Sequence, residues 1–273
     1  MIEPYMVNAL LVGAIVSVVA GVTGFFVVLR GSSFAAHALS QIGFAGAAGA
    51  VLLGVAPIFG LVTFALGGAV AMGALGRNRR NADAIIALVM TASLGLGALF
   101  LAMNDTYATS AFALLFGSIV GVSHIQVIQT AVLGAVVLSL LALVYRPLLF
   151  SSISEESALA RGVHPTRLNV LLLCAIAIAA AVTIPSVGTL LVFALMIAPP
   201  AAAILITRTP ASAIAIAVLL NLVCCIGGML VAYASGLPVG FCIAIIAAAV
   251  YVAARVSTVR RSGERRRVFE GSL

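Results

Sequence analysis

Residues 5–29 read YMVNALLVGAIVSVVAGVTGFFVVL, a run without a charged side chain. About 20 apolar residues carry a helix through the hydrocarbon of a bilayer, and there a helix satisfies all its own backbone polar groups. The run therefore predicts a membrane-spanning helix. It is too long for the apolar core of a secretory signal, and Met1-Ile2-Glu3-Pro4 lacks the positive charge that precedes one, so this helix is expected to be retained. The same character continues outward through 273 residues that are 64% hydrophobic and 8% charged, with a mean hydropathy of +1.30. An ordinary soluble domain has roughly 45–50% apolar and about 25% charged residues. A soluble globular enzyme is excluded, and short connections between spans leave no length for a separate soluble domain.

Arginine clusters and turn residues divide the chain into nine candidate spans: 5–29, 33–54, 57–75, 84–103, 124–145, 167–183, 187–206, 210–234 and 237–254. The arginines test this division, because short cytoplasmic loops collect positive charge. With the N-terminus outside, Arg30, the Arg77/Arg79/Arg80 cluster, Arg146, Arg161, Arg167, Arg208 and the tail from Arg255 onward all fall inside, whereas the outer connections contain no arginine. The stretch 104–123 has a polar start and an apolar piece, 111–122, too short to cross, so an outer turn and a short re-entrant helix are expected. Within it Gly117 and Gly121 have the spacing that lets helices approach closely. An eight-helix version follows if one short span is re-entrant. The expected fold is all-α: a polytopic bundle of eight or nine transmembrane helices over 1–257, then a basic tail, 258–273, on the cytoplasmic side.

All 14 basic residues are arginine, against seven acids, for a net charge of +7. Without lysine the chain cannot form a standard P-loop, whose Lys holds the nucleotide phosphates. Cys174, Cys224, Cys225 and Cys242 sit in apolar runs without Cys-x-x-Cys spacing, which points to neither a disulfide framework nor a zinc knuckle. The tail is expected to meet anionic lipid headgroups rather than nucleic acid.

Two segments carry chemistry. The first, SSFAAHALSQIGFAG at 32–46, holds His37 and, four residues on, Gln41 on the same helical face, with Ser33 and Ser40 nearby. At 1.5 Å per residue from Arg30, His37 lies roughly 10 Å and Gln41 roughly 16 Å into a ~30 Å core. Polar groups at that depth face the bundle interior or a water-filled path. The pair either bonds neighbouring helices or offers an imidazole nitrogen and an amide oxygen to a passing cation. The second segment, SEESALARGVHP at 154–165, has a capping Ser154, acids in a first turn, Arg161 in a last turn, Gly162 beyond it and Pro165 to stop continuation. It predicts a short helix outside the membrane, either a surface hairpin or a docking element.

These segments, with VGTLLVFALMIAPPAAA at 187–203, LLFGSI at 114–119 and SGLPVG at 235–240, resemble the permease subunits of zinc and manganese ABC importers over nearly the whole chain. The resemblance implies a bacterial inner-membrane homodimer of permeases, two ATP-binding cassette ATPase subunits that hold ATP and Mg on the cytoplasmic side, and an extracytoplasmic metal-binding protein that delivers zinc or manganese. ATP hydrolysis then belongs to the partner, and this chain has no catalytic residue of its own. The 155–162 helix becomes the coupling helix, with Glu155, Glu156, Ala160 and Gly162 as its contact residues. The family's second span commonly carries Asp and, four residues later, His as transient metal ligands. Here those positions hold His37 and Gln41, a pair without the carboxylate's charge, expected to bind a divalent cation more weakly and with altered selectivity.

A secondary transporter or channel without an ATPase is the alternative. It would show paired interrupted helices with buried acids, and no Asp or Glu falls inside the expected spans. An intramembrane enzyme would need a nucleophile and base within reach, and only His37 with Ser40 approaches that.

Overall fold

The computed structural model describes residues 4–76, 82–103, 122–153 and 155–270. Among these the helices are α1 (Pro4–Leu29), α2 (Ser33–Leu52), α3 (Pro57–Leu75), α4 (Ala82–Ala102), α5 (His124–Ile153), α6 (Glu155–Ala160), α7 (Pro165–Val187), α8 (Thr189–Ile206), α9 (Pro210–Ser235) and α10 (Val239–Glu270). The described residues contain no strand. Among the described residues eight helices are long and apolar enough to cross a membrane, and α8 contributes a shorter apolar stretch, Leu191–Ile206. The all-α polytopic fold expected from composition is the one observed.

Local chemistry sets the helix ends. Ser123 and Gln126 form a reciprocal capping box ahead of α5, the Ser123 N–H donating to Gln126 Oε1 at 2.9 Å and the Gln126 N–H to Ser123 Oγ at 3.3 Å. Thr209 caps α9 by accepting from the Ser212 N–H at 3.3 Å, with Pro210 in the first turn. Gly236 closes that helix in the left-handed conformation.

Helix directions follow from close approaches. Gly13 meets Met229 and Cys225 while Gly21 meets Val218, so α9 runs antiparallel to α1. The three-residue connection 207–209 makes α8 antiparallel to α9, and the tight turn at 30–32 makes α2 antiparallel to α1. Consequently α1 and α8 run parallel, and α2 runs against α8. The same alternation gathers Arg30, Arg146, Arg161, Arg167, Arg208 and Arg255 at one end of the bundle.

Burial is uneven. The best apolar windows of α1, α2 and α7 are 67%, 78% and 67% buried, against 11% for α4. Helices α1, α2, α7 and α8 thus make the centre, and α4, α5 and α10 turn Leu88, Leu143 and Val252 outward. Small residues permit the central packing. A side chain at Gly46 would collide with the Gly60 carbonyl and one at Gly60 with the Gly46 carbonyl, so α2 and α3 touch backbone to backbone. Pro199 and Pro200 cannot donate to the carbonyls of Leu195 and Met196, and the Met196 carbonyl lies against Gly24, where no side chain intervenes.

Several boundaries differ from the sequence reading. Helix α5 does not stop at Tyr145 but continues through Pro147 to Ile153, because proline removes one hydrogen bond without ending a helix whose next turns are held. The hydroxyls of Ser151 and Ser152 both bond back to the Leu148 carbonyl there. Pro185, expected in an outer loop, lies inside α7, and the reversal into α8 is made at Gly188 alone, with φ +86°. Asp83, expected outside the spans, falls in the first turn of α4, where a helix N-terminus favours an acid. Ser154, the Arg77/Arg79/Arg80 cluster, the Gly117/Gly121 pair, the 114–119 run and all but Val122 of the short helix expected in 111–122 lie outside the described residues.

Two stability outcomes follow. Gly60→Val should separate α2 from α3 and cost roughly 1–3 kcal/mol, read as a lower melting temperature of the purified protein in detergent. Asn221, fully buried in α9, has neither side-chain oxygen nor nitrogen hydrogen-bonded among the described residues. Asn221→Leu should therefore raise the melting temperature, with a gain of about 1 kcal/mol.

Candidate functional site

Helix α2 is the least apolar of the candidate spans and the most buried. It sets His37 and Gln41 one turn apart on one face, both half-buried. His37 Nδ1 is buried without a hydrogen-bond partner among the described residues. The imidazole meets the ring of Phe193 on α8 edge to face, with centroids 4.8 Å apart and planes at 65°. Ser40, near the same face, is committed elsewhere: its hydroxyl donates to the Ala36 carbonyl at 2.9 Å.

That return bond to the carbonyl four residues back is how hydroxyls are satisfied in this bundle. Ser17 bonds to Gly13, Thr130 to Gln126 and Thr183 to Ala179, at 2.7, 2.7 and 2.6 Å. Thr23 and Thr189, both fully buried, leave their hydroxyls without a partner among the described residues. For Thr189 the reason is positional. It is the first residue of α8, and the break at Gly188 leaves no helical carbonyl beneath it.

The site offers neutral donors. Among the described residues no three His, Cys, Asp or Glu side chains gather where they could hold a metal. An imidazole nitrogen binds a divalent cation through its unshared pair, and an amide oxygen accepts it more weakly. Such a pair suits passage rather than storage. A cavity of about 480 Å³ opens at the arginine-bearing end, with Arg30, Asp83, Thr166 and Asn169 on its wall. A second, of about 250 Å³, lies at the opposite end beside Gln126, Gln129 and Pro185. His37 and Gln41 line neither of the two.

The expected docking segment is a helix, α6, six residues long. Its end is made as the sequence suggests: the Gly162 N–H donates to the Leu159 carbonyl at 3.0 Å and the Val163 N–H to the Ala158 carbonyl at 3.0 Å, with Gly162 at φ +74°. Ala158 is buried, while Glu156, Leu159, Ala160, Arg161 and Gly162 are exposed. The Arg161 guanidinium stands 5.0 Å over the Phe150 ring, tying α6 back to α5. Two residues escaped sequence reasoning. Leu159 is 56% exposed although apolar, and only its spacing from Glu156 hinted at it. Phe193 is one apolar residue in an apolar run, which no pattern distinguishes.

Residues 2–258 match the ABC 3 transport family. Among relatives, the manganese import system permease protein ScaB of Streptococcus parasanguinis is 28% identical over 249 residues, covering 91% of this chain and 89% of that one. The high-affinity zinc uptake system membrane protein ZnuB of Haemophilus influenzae is 27% identical, covering 81% and 85%. Among solved structures, PsaBC from Streptococcus pneumoniae in complex with Fab superposes with a TM-score of 0.83 at 27% identity, over 92% of this chain and 91% of that one. Bundle, hydropathy and a match running almost from end to end agree, and the chain belongs to the ABC 3 transport family.

Proposed function

We propose that this chain is the membrane permease of an ATP-driven importer that takes a divalent transition metal, manganese or zinc, from a soluble binding protein and passes it to the cytoplasm. The observation that carries the reading is the pairing of family membership with a buried, partnerless imidazole nitrogen in the most enclosed helix. In this reading His37 and Gln41 are transient ligands. Their neutrality keeps binding weak enough for release, and affinity resides in the delivery protein.

Energy enters from a partner. The chain has no lysine for a P-loop, so ATP and Mg belong to an ATP-binding cassette subunit seated on α6. Glu155, Glu156, Ala160 and Gly162 are assigned to that contact, joined by the exposed Leu159. The end bearing the arginines is assigned to the cytoplasm by the positive-inside rule, which puts the N-terminus outside and the basic 258–273 segment at the inner lipid surface. A second copy of the chain completes the permease, in keeping with two ATPase subunits.

Two substitutions separate site from docking. Radiolabelled manganese and zinc uptake is measured in proteoliposomes containing permease, ATPase and binding protein. His37→Ala should lower uptake by about tenfold or more, the loss of one ligand costing at least 1.4 kcal/mol, with ATPase binding intact. At Gly162 nothing lies within 4 Å of an added Cβ, and Asp tolerates left-handed backbone. Gly162→Asp should therefore leave the permease folded and abolish ATP-dependent uptake through lost docking. Uptake that persists without the ATPase would overturn the importer reading; ATP-dependent uptake indifferent to His37 would overturn the ligand assignment alone.

A further inference from the structure

The contact between His37 and Phe193 fixes a register between two antiparallel helices. One turn outward from His37 on α2 is Gln41, and one turn outward from Phe193 on α8, running the opposite way, is Thr189. The two positions stand at the same level. Thr189 is fully buried, and its hydroxyl has no partner among the described residues. It lacks the return bond that occupies Thr183 because its helix starts there. An unpaired buried hydroxyl is costly in a low-dielectric interior, so its placement beside the path residues calls for a partner in the working cycle.

We propose that Thr189 is a third contact for the passing metal ion, its hydroxyl oxygen facing Gln41 across the α2–α8 interface. The inference rests on the assignment of His37 and Gln41 as transient ligands. It makes the site one nitrogen and two neutral oxygens drawn from two helices. That donor set suits a borderline divalent cation without holding it as a carboxylate would. Because the two helices contribute separately, a shift of α8 against α2 separates the oxygens and loosens the ion. Phe193, one turn away on the same face of α8, moves its ring relative to His37 in the same step.

The test is equilibrium binding of manganese(II) and zinc(II) ions to the purified permease–ATPase complex in lipid nanodiscs, for wild type, Thr189→Val, Thr189→Ser and His37→Ala. Size-exclusion elution and melting temperature of the complex are read as a check on folding and assembly. Thr189→Val keeps the shape and removes the hydroxyl, so binding should weaken about tenfold with elution unchanged, and Thr189→Ser should restore it to within about twofold. If Thr189→Val binds as wild type while His37→Ala does not, the third contact is wrong and the His37 site stands. Equal loss in the Val and Ser variants would mean that the residue matters by packing, and would overturn the proposal. Wild-type binding by His37→Ala would remove the underlying site assignment instead.

Discussion

A helix that carries His37, Ser40 and Gln41 within little more than one turn cannot face lipid without leaving polar atoms in hydrocarbon. The least apolar span is accordingly the most covered one, and much of the architecture is the means of covering it. Helix α3 lies against one side through the Gly46–Gly60 backbone contact, α4 through Gly97 on Ala45, and α7 through Ile184 near Gly43. Each of these contacts depends on a residue too small to hold the helices apart. The glycines and alanines of α2 therefore enclose its polar residues, since they let three neighbours exclude lipid from them.

The same constraint sorts the buried polar groups into two kinds. Most hydroxyls within a continuous helix fold back on their own backbone and are spent, as at Ser17, Ser40 and Thr183, with Thr23 in α1 the exception among the described residues. His37 and Asn221 have no such local option, and Thr189 loses it to the break at Gly188. Of these, His37 meets α8 through Phe193, and Thr189 is proposed to face the same interface. Asn221 lies apart on α9, and its unpaired amide marks a local cost in stability rather than a ligand.

Much of this was legible in the residues. Charge-free runs located the helices, because in hydrocarbon nothing else satisfies the backbone, and the arginines located their ends. His37 and Gln41 stood out because polar side chains are rare at that depth. Gly162 announced the end of α6 through its need for positive φ. Proline was the misleading signal: Pro147 and Pro185 looked like boundaries, yet both lie inside helices, since a single missing N–H bends a membrane helix without stopping it. Phe193 and Thr189 were illegible for another reason. Their meaning lies in which face α8 turns toward α2, and a run apolar all round conceals that face.

With an ATPase docked at α6 as proposed, the chain order gives the coupling a mechanical form. Helix α6 precedes α7, a central helix packed on α2, α3 and α5, and α7 ends at the single-residue turn from which α8 starts. Movement imposed on α6 at the arginine-bearing end reaches Gly188 through one largely buried helix, which transmits displacement because its neighbours leave it little room to bend. Beyond the turn, the first five residues of α8 include both Thr189 and Phe193. Farther along, Pro199 and Pro200 remove two hydrogen bonds from the same helix, so α8 is the central helix with the weakest internal ladder. A helix driven from one end, loosened in its middle and bearing Phe193 against His37 has the attributes that the proposed importer requires to alternate access. In that proposal neither carboxylates nor nucleotide are needed within the membrane for the step; the force has only to arrive at α6.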